Sequence, residues 1–449
     1  MTGEQDSIQS SPLGRMAVLA GTGAKVGINY LKHYGRSALS GKSDTTILHE
    51  ENASDVYASF SKLKGGPLKL AQMLSIDRNL LPPAYAKQFA QAQYSAPPLS
   101  YPLVVRTFRR EFQREPLEIF DTFTRSARHG ASIGQVHRAE KNGHAYAVKV
   151  QYPGVAESLK SDLRVVKPLA LQILGLREKD VAQYFTEVET RLLEETDYRL
   201  ELRRSMELSA ASAHIENLGF PRYYPEFSGA RVLTMDWIDG QPLDLFAAGN
   251  PTQEERDVIG QALWDFYHHQ IHELRLFHAD PHPGNFLVSE GRLVVLDFGC
   301  TKAIDAEFYK KQFQFLDPKM VDDAGALELA LDMMGILLPE DLPEERHAIR
   351  HVVKKSIDLL ASPFREELFD FGSASFMDQI YQLGFENKEN PALKSARGPR
   401  GSAESVYVNR AYFGLYSLLS MLGSRVRTSL PDWLKEPAKA LHETDDAAH

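Results

Sequence analysis

The 449 residues contain one cysteine, Cys300. That excludes an intrachain disulfide framework and a cysteine-cluster metal site, and it fits a reducing compartment. Positive charge is in deficit: 51 lysines and arginines stand against 60 aspartates and glutamates, giving a net charge of −9. General nucleic-acid binders carry a basic surplus, so no nucleic-acid partner is expected. Long apolar runs are missing too. The longest uncharged candidate, Ala411 to Gly423, falls short of the roughly 18 residues that a membrane span needs. Glu4 and Asp6 ahead of the apolar stretch Met16 to Ala24, and Lys25 behind it, speak against a secretory leader. No internal repeat is visible. What remains is a globular composition, 43% apolar and 25% charged, with length for more than one core.

Charge is unevenly distributed along the chain. Residues 7 to 43 hold Arg15, Lys25, Lys32, Arg36 and Lys42 and no acid. Residues 16 to 34 have the pattern of an amphipathic helix, with Gly23 and Gly27 forming a small-x-x-x-small pair. Such a helix either rests on an anionic membrane surface or packs on its own domain. Residues 46 to 96 read as helical, broken by Gly65-Gly66-Pro67, Pro82-Pro83 and Pro97-Pro98, and another helix is expected from Tyr101 to Arg114. The pattern changes near residue 118. Ile119 to Phe123 reads as a short strand. Gly134 to Glu140 and Ala145 to Gln151 alternate around Asn142-Gly143, a strong hairpin signal. Residues 155 to 215 are helical by period, Arg231 to Ile238 is an apolar strand, and from Thr252 onward helices dominate. A short β-pair is expected around Glu290-Gly291. The fold class is therefore α+β: a few-stranded antiparallel sheet, then a helical half, with a cleft expected between two unequal lobes. The expected divisions are 1–45 (basic segment), 46–115 (helical extension), 116–240 (sheet-bearing lobe with a helical insert) and 241–449 (helical lobe).

One constellation carries chemistry. His278-Ala-Asp280-Pro-His282-Pro-Gly-Asn285 sets an aspartate five positions before an asparagine, and Asp297-Phe298-Gly299 follows a hydrophobic strand. Phosphoryl transfer needs this set: one carboxylate facing the attacking oxygen, and one amide oxygen with a second carboxylate to hold Mg²⁺ against a triphosphate. Asp370-Phe371-Gly372 repeats the triplet, but it lies 85 residues after Asn285 and follows no buried strand, so it reads as structural. Lys149, mid-strand among apolar residues and upstream of the Asp/Asn/Asp set, suits the α and β phosphates of ATP. The glycine-rich loop expected before it is altered. His129 and Ala131 stand where glycines would, with Gly130 between them and Ser132, Gly134 and Val136 following. Backbone N–H groups there can still approach phosphate, although Cβ atoms restrict the loop. Met235, Asp236 and Ile238 fall where a strand and hinge would meet adenine, with Met235 equally suited to the core and Trp237 read as packing.

These motifs together resemble the UbiB family, the AarF/ADCK-type atypical protein-kinase-like proteins, over roughly residues 12 to 435. The family's K-x-G-Q motif is matched by Lys69-Leu70-Ala71-Gln72, its alanine-rich loop by His129-Gly130-Ala131-Ser132, and its E-x-D motif by Glu195-Thr196-Asp197. The glutamate that pairs with the strand lysine is matched by Glu201, and the catalytic-loop Asp, Asn and DFG Asp by Asp280, Asn285 and Asp297. The resemblance implies a two-lobed kinase-like fold whose N-terminal helical extension lays Lys69 near Glu195 and Asp197. It further implies an ATP- and Mg²⁺-dependent ATPase supporting isoprenoid quinone or other lipid metabolism. Such a protein would be cytoplasmic and peripheral on the inner membrane, with lipid or quinone intermediates and quinone-biosynthesis enzymes as partners. Two departures stand out: Ala71 replaces a glycine, and His129-Gly130 replaces two alanines. A phosphotransferase acting on a protein or small molecule, and a nucleotide-binding scaffold without turnover, remain the alternatives. A metal-dependent hydrolase built on His278, Asp280 and His282 would leave Asn285, Asp297 and Lys149 unexplained. His268, His269 and His272 have zinc-helix spacing but lack the general-base glutamate, since His269 occupies its place.

Overall fold

The computed structural model describes residues 12–40, 46–63, 67, 84–85, 88, 99–131, 133–174, 186, 189–190, 192–390 and 400–435. The chain divides into two compact units. The first takes the chain up to Ala211, Phe220–Asp239 and Asp297–Cys300; the second takes Ser212–Gly219, Gly240–Leu296 and the chain from Thr301 onward. Among the described residues, no helix is long and apolar enough to cross a membrane.

The first unit opens with α1 (Pro12–Ser40) and α2 (Thr46–Leu63). Helix α3 (Tyr101–Phe112) starts on a proline in its first turn and ends on Gln113 in the left-handed region. Five strands form one sheet: β1 (Thr122–Phe123), β2 (His129–Gly130), β3 (Gly134–Lys141), β4 (His144–Gln151) and β6 (Val232–Asp236). Its order is β1-β3-β4-β6, with β2 also paired to β3. The β3–β4 turn is the one the sequence announces. Asn142 (φ 51°) and Gly143 (φ 75°) both sit at positive φ, as a two-residue turn matched to strand twist requires. The strand expected over Ile119–Phe123 is shorter than the pattern suggested. Pro116 opens a helical turn through Ile119, locked by a Glu115–Glu118 capping box, and only Thr122 and Phe123 pair with β3.

Strand β4 is buried on both faces from Tyr146 to Gln151, because each face has its own core. Tyr146, Val148 and Val150 pack with Val104 and Phe108 of α3 and with Val232. Ala147 packs on the other face with Ile133, Tyr198, Leu233 and Met235, and with the half-buried Val136 and Trp237. Helices α4 (Val155–Leu174) and α5 (Tyr198–Ser212) complete the unit.

The basic segment takes up its helix, and the described contacts are with its own unit. Arg15 is 2% exposed, and its guanidinium meets Asp162 of α4 (1% exposed) at 2.6 and 2.8 Å while donating to the Leu63 carbonyl at 2.8 Å. Thr22–Ser59, Lys25–Asp55 and Asn29–Asn52 bonds of 2.7–2.8 Å lay α1 along α2. Arg15 therefore leaves the surface basic set to which composition assigned it. A Cβ on Gly23 or Gly27 would meet no atom within 4 Å, so this small-residue pair serves no close helix contact among the described residues.

The second unit holds a four-stranded sheet, β5 (Leu218–Gly219), β10 (Arg292–Val295), β9 (Phe286–Ser289) and β7 (Gln241–Pro242), in that order, and a β8 (Leu276–His278)–β11 (Thr301–Ala303) pair. Helix α6 (Gln253–His268) starts on a Thr252–Glu255 capping box, and α7 (Ala403–Leu422) ends on Gly423 at φ 66°. The second Asp-Phe-Gly triplet does follow a short strand, Leu368–Asp370, of which only Phe369 is buried. Phe371 is fully buried against Trp264, Phe369, Phe376 and Tyr416 while Asp370 is exposed.

Candidate functional site

Within the first unit, one ammonium is shared by two carboxylates. Lys149 Nζ donates to Glu201 Oε1 at 2.7 Å and to Asp297 Oδ2 at 2.8 Å. Lys149 enters from β4, Glu201 from the first turn of α5, and Asp297 from the chain leaving the β9–β10 hairpin. Glu201 is 3% exposed at its side chain and Asp297 34%. Asp297 Oδ1 accepts from the Gly299 N–H at 2.6 Å, which fixes the carboxylate. The ammonium also lies 5.0 Å from the ring centre of Tyr198.

The electrostatics follow from one cation serving two anions. Burial opposes the charge on Lys149, but Asp297 and Glu201 more than offset it and hold the ammonium well above its usual range. Burial, then the Asp297 charge, push Glu201 up to about 7 against the pull of Lys149, and buried Glu195 adds to the push. The sign for stability is the reverse of an ordinary paired carboxylate. A folded value above the ordinary 4.5 gives a contribution fully present below pH 4.5 and lost as pH rises to about 7, on the order of 3 kcal/mol. Glu201→Gln should flatten the pH dependence of stability across that window. Denaturant melts at pH 5 and pH 7.5 check it; an unchanged slope defeats the assignment.

The structure redistributes the other expected residues. Asp197 is exposed and accepts from the Arg199 N–H at 3.0 Å, so it caps α5 instead of sharing a helix face with Glu201. The Asp236 carboxylate is spent on Tyr224, His144 and the Arg222 N–H at 2.7–3.0 Å. Met235 is buried in the core, and Ile238 is half-buried. The Ala131 and Gly134 N–H groups bond each other's carbonyls at 2.9 and 3.4 Å, so these two loop donors are engaged within the loop. His129 and Gly130 are exposed on β2, opposite Val136 and Gln135. Lys69, Ala71, Gln72 and Ser132 lie outside the described residues.

In the second unit, Asp280 and Asn285 share a tight loop. Asn285 Nδ2 and the His282 N–H both donate to the Asp280 carbonyl, at 2.9 and 2.8 Å. That turns the Asn285 amide oxygen away from the loop, the orientation a metal-ligating amide needs. The Leu296 N–H donates to the Asn285 carbonyl at 2.9 Å, so the hairpin returns the chain beside Asn285 one residue before Asp297. Two further residues escaped the sequence reading, both on α7. Arg410 faces Asp280 at 3.5 Å. Gly414 lies so close to Pro281 that an added Cβ would sit 2.0 Å from its Cγ. Neither carries a local signal, since they stand more than a hundred residues after Asp280. Gly414→Ala should displace Pro281 and lower any activity that rests on Asp280 on the order of a hundredfold, because a shift of about 1 Å at a reacting group costs that much. Steady-state rates beside a circular-dichroism melt check it; full activity means that the loop does not need this contact.

Among the described residues no three His, Cys, Asp or Glu side chains are grouped for a metal. His272 is bonded through both ring nitrogens to Tyr309 and Tyr412 at 2.8 Å, and burial, with His268 beside it, holds its pKa well below the usual value. His268 and His272 keep the expected i, i+4 neighbourhood, with ring centres 4.5 Å apart, although the turn His269–Leu274 is π-helical.

Comparison with known proteins agrees with this geometry. The ABC1 atypical kinase-like domain matches residues 91–327. The mitochondrial atypical kinase COQ8B of Rattus norvegicus is 30% identical over 387 residues, covering 84% of this chain and 72% of that protein. The probable serine/threonine-protein kinase abkA of Dictyostelium discoideum is 27% identical over 413 residues, 86% of this chain and 71% of that one. The chain spans only 42% of the length of some longer relatives. Among solved structures, the complex of Rv3197 with erythromycin from Mycobacterium tuberculosis matches 87% of this chain and 96% of its own, with a TM-score of 0.58 and 25% identity. With the matched domain covering more than half of the sequence and the lysine–glutamate–aspartate set in place, the chain belongs to the ABC1 atypical kinase-like family, the UbiB family of COQ8/ADCK atypical kinases.

Proposed function

We propose that the protein is a Mg²⁺-dependent ATPase of atypical kinase type. It would serve isoprenoid quinone or lipid metabolism at a membrane surface. The observation that carries the reading is the Lys149 ammonium held at 2.7 and 2.8 Å by Glu201 and Asp297. A buried ammonium fixed between two carboxylates is a pre-oriented anion receptor. Triphosphate oxygens can take over part of its coordination with little reorganisation, and such preorganised charge supplies most of the rate in sites of this kind.

Asp297 and Asn285 are the proposed Mg²⁺ ligands, and their oxygen donors fit a hard cation. When bound, the ion neutralises charge on the β and γ phosphates. Asp280 orients the attacking water, and Arg410 lies 3.5 Å from its carboxylate. His129, Gly130 and Val136 are the proposed border of the nucleotide. Lys69, Gln72, Glu195 and Asp197 form the proposed closing set that restricts acceptors to water. The quinone and membrane parts rest on likeness to the COQ8 proteins and on the exposed Met16, Lys25 and Ile28 of α1.

Mg·ATP hydrolysis by purified protein, with and without anionic liposomes, tests the reading. Turnover that is stimulated by liposomes and lost in Asp297→Asn is expected. Binding of ATP with no turnover under any condition would replace the ATPase by a scaffold, and saturable label transfer to an acceptor would make it a phosphotransferase.

A further inference from the structure

Cross-strand register places one row of residues on a single face of the first unit's sheet. His129 pairs with Val136, Val136 with Lys149, and Lys149 with Leu233. Side chains directly opposite each other share a face, as do residues two apart on one strand. Ala147 and Met235 therefore lie on the Lys149 face, and so does Trp237, two positions beyond Met235. At the edge of that face the His129 imidazole stacks on the Trp237 indole, with centroids 5.8 Å apart and planes 26° from parallel. The Arg138 guanidinium carbon lies 5.8 Å from the same indole. Trp237 is fixed at both ends: its backbone N–H donates to the Ala145 carbonyl at 3.1 Å, and its Nε1–H to Asp239 at 2.8 Å. His129 is exposed and Trp237 half-buried, so the stack opens outward.

We infer that the His129–Trp237 ring pair is the platform on which this protein stacks the base of its nucleotide, and that it selects purines over pyrimidines. The inference rests on the nucleotide reading above. It assigns a specificity-determining role to a histidine that stands where the family resemblance expects alanine. Two strand spacings, about 10 Å, separate His129 from Lys149. A nucleoside extended between them would set its phosphates at the ammonium and its base at the rings. A purine offers two fused rings to the stack and a pyrimidine one, so stacking favours the purine. Partial desolvation, with Arg128 beside it, lowers the His129 pKa, which favours the uncharged ring.

Calorimetric binding of Mg·ADP, Mg·CDP and Mg·pyrophosphate to the full chain, wild type against His129→Ala and His129→Phe, tests the inference. Stacking contributions predict about ten- to thirtyfold weaker ADP binding in His129→Ala. CDP should weaken less, so that the ADP/CDP ratio narrows, while pyrophosphate stays within about twofold. His129→Phe should restore ADP binding. A merely structural histidine would weaken all three ligands together or none, and an unchanged ADP/CDP ratio in His129→Ala overturns the platform while leaving the nucleotide site standing. If wild-type protein binds neither ADP nor pyrophosphate, the nucleotide reading itself fails and the platform falls with it.

Discussion

Lys149→Met should abolish measurable ATP turnover and cost the first unit about 3–5 kcal/mol of stability. The cost arises from what is left behind. Glu201 is 3% exposed, and without the ammonium it becomes a buried carboxylate facing the Asp297 charge. Asp297, a third exposed, keeps some contact with water and suffers less. The prediction therefore has a second half. Adding Glu201→Gln to Lys149→Met should recover most of the lost stability, because it removes the stranded charge, yet recover no turnover. Urea melts of the two single variants and the double variant, with hydrolysis rates beside them, give the coupling directly. If the double variant is no more stable than Lys149→Met, the penalty lies in lost packing and not in the unpaired acid.

The same trio shows how much of the site could be read from residues. Lys149 lies between apolar neighbours on a strand, and the hairpin before it is announced by Asn142-Gly143, whose backbone requirement is local. Asp280 and Asn285 keep a spacing that one tight loop closes, and that much was legible. Where the reading stopped short, the deciding contact was remote. The Asp236 carboxylate is taken by His144, ninety-two positions earlier, and by Tyr224, contacts that no local pattern announces. Trp237 does pack against the Ala147 face, as read, but nothing local announces the His129 ring beside it. Strand β4 lacked a solvent face because α3 covers one side and α5 the other, a fact of tertiary assembly that alternation along one strand does not encode.

Separating Arg15 from Asp162 should be the second large loss, and it bears on what the N-terminal helix is for. Arg15→Ala takes from Asp162, 1% exposed, its ion-pair partner while Ser158 still donates to it, and removes the bond to the Leu63 carbonyl. An uncompensated buried charge of this kind costs about 3–5 kcal/mol. Arg15→Met together with Asp162→Leu should come within about 1–2 kcal/mol of wild type, since apolar replacements of similar volume are tolerated in place of buried ion pairs. Hydrogen exchange across residues 12–40 is the deciding measurement. In Arg15→Ala, protection of α1 should collapse while β3 and β4 keep theirs, because the remaining bonds to α2, such as the half-exposed Lys25–Asp55 pair, are individually weak. Loss of protection spread evenly over the first unit would mean that α1 is an integral part of one cooperative core. Local loss would mean that a single buried ion pair governs whether the basic helix stays on its own unit or becomes available to an anionic surface. In that case liposome binding should rise in Arg15→Ala at low ionic strength and fall as salt screens Lys25 and Lys32.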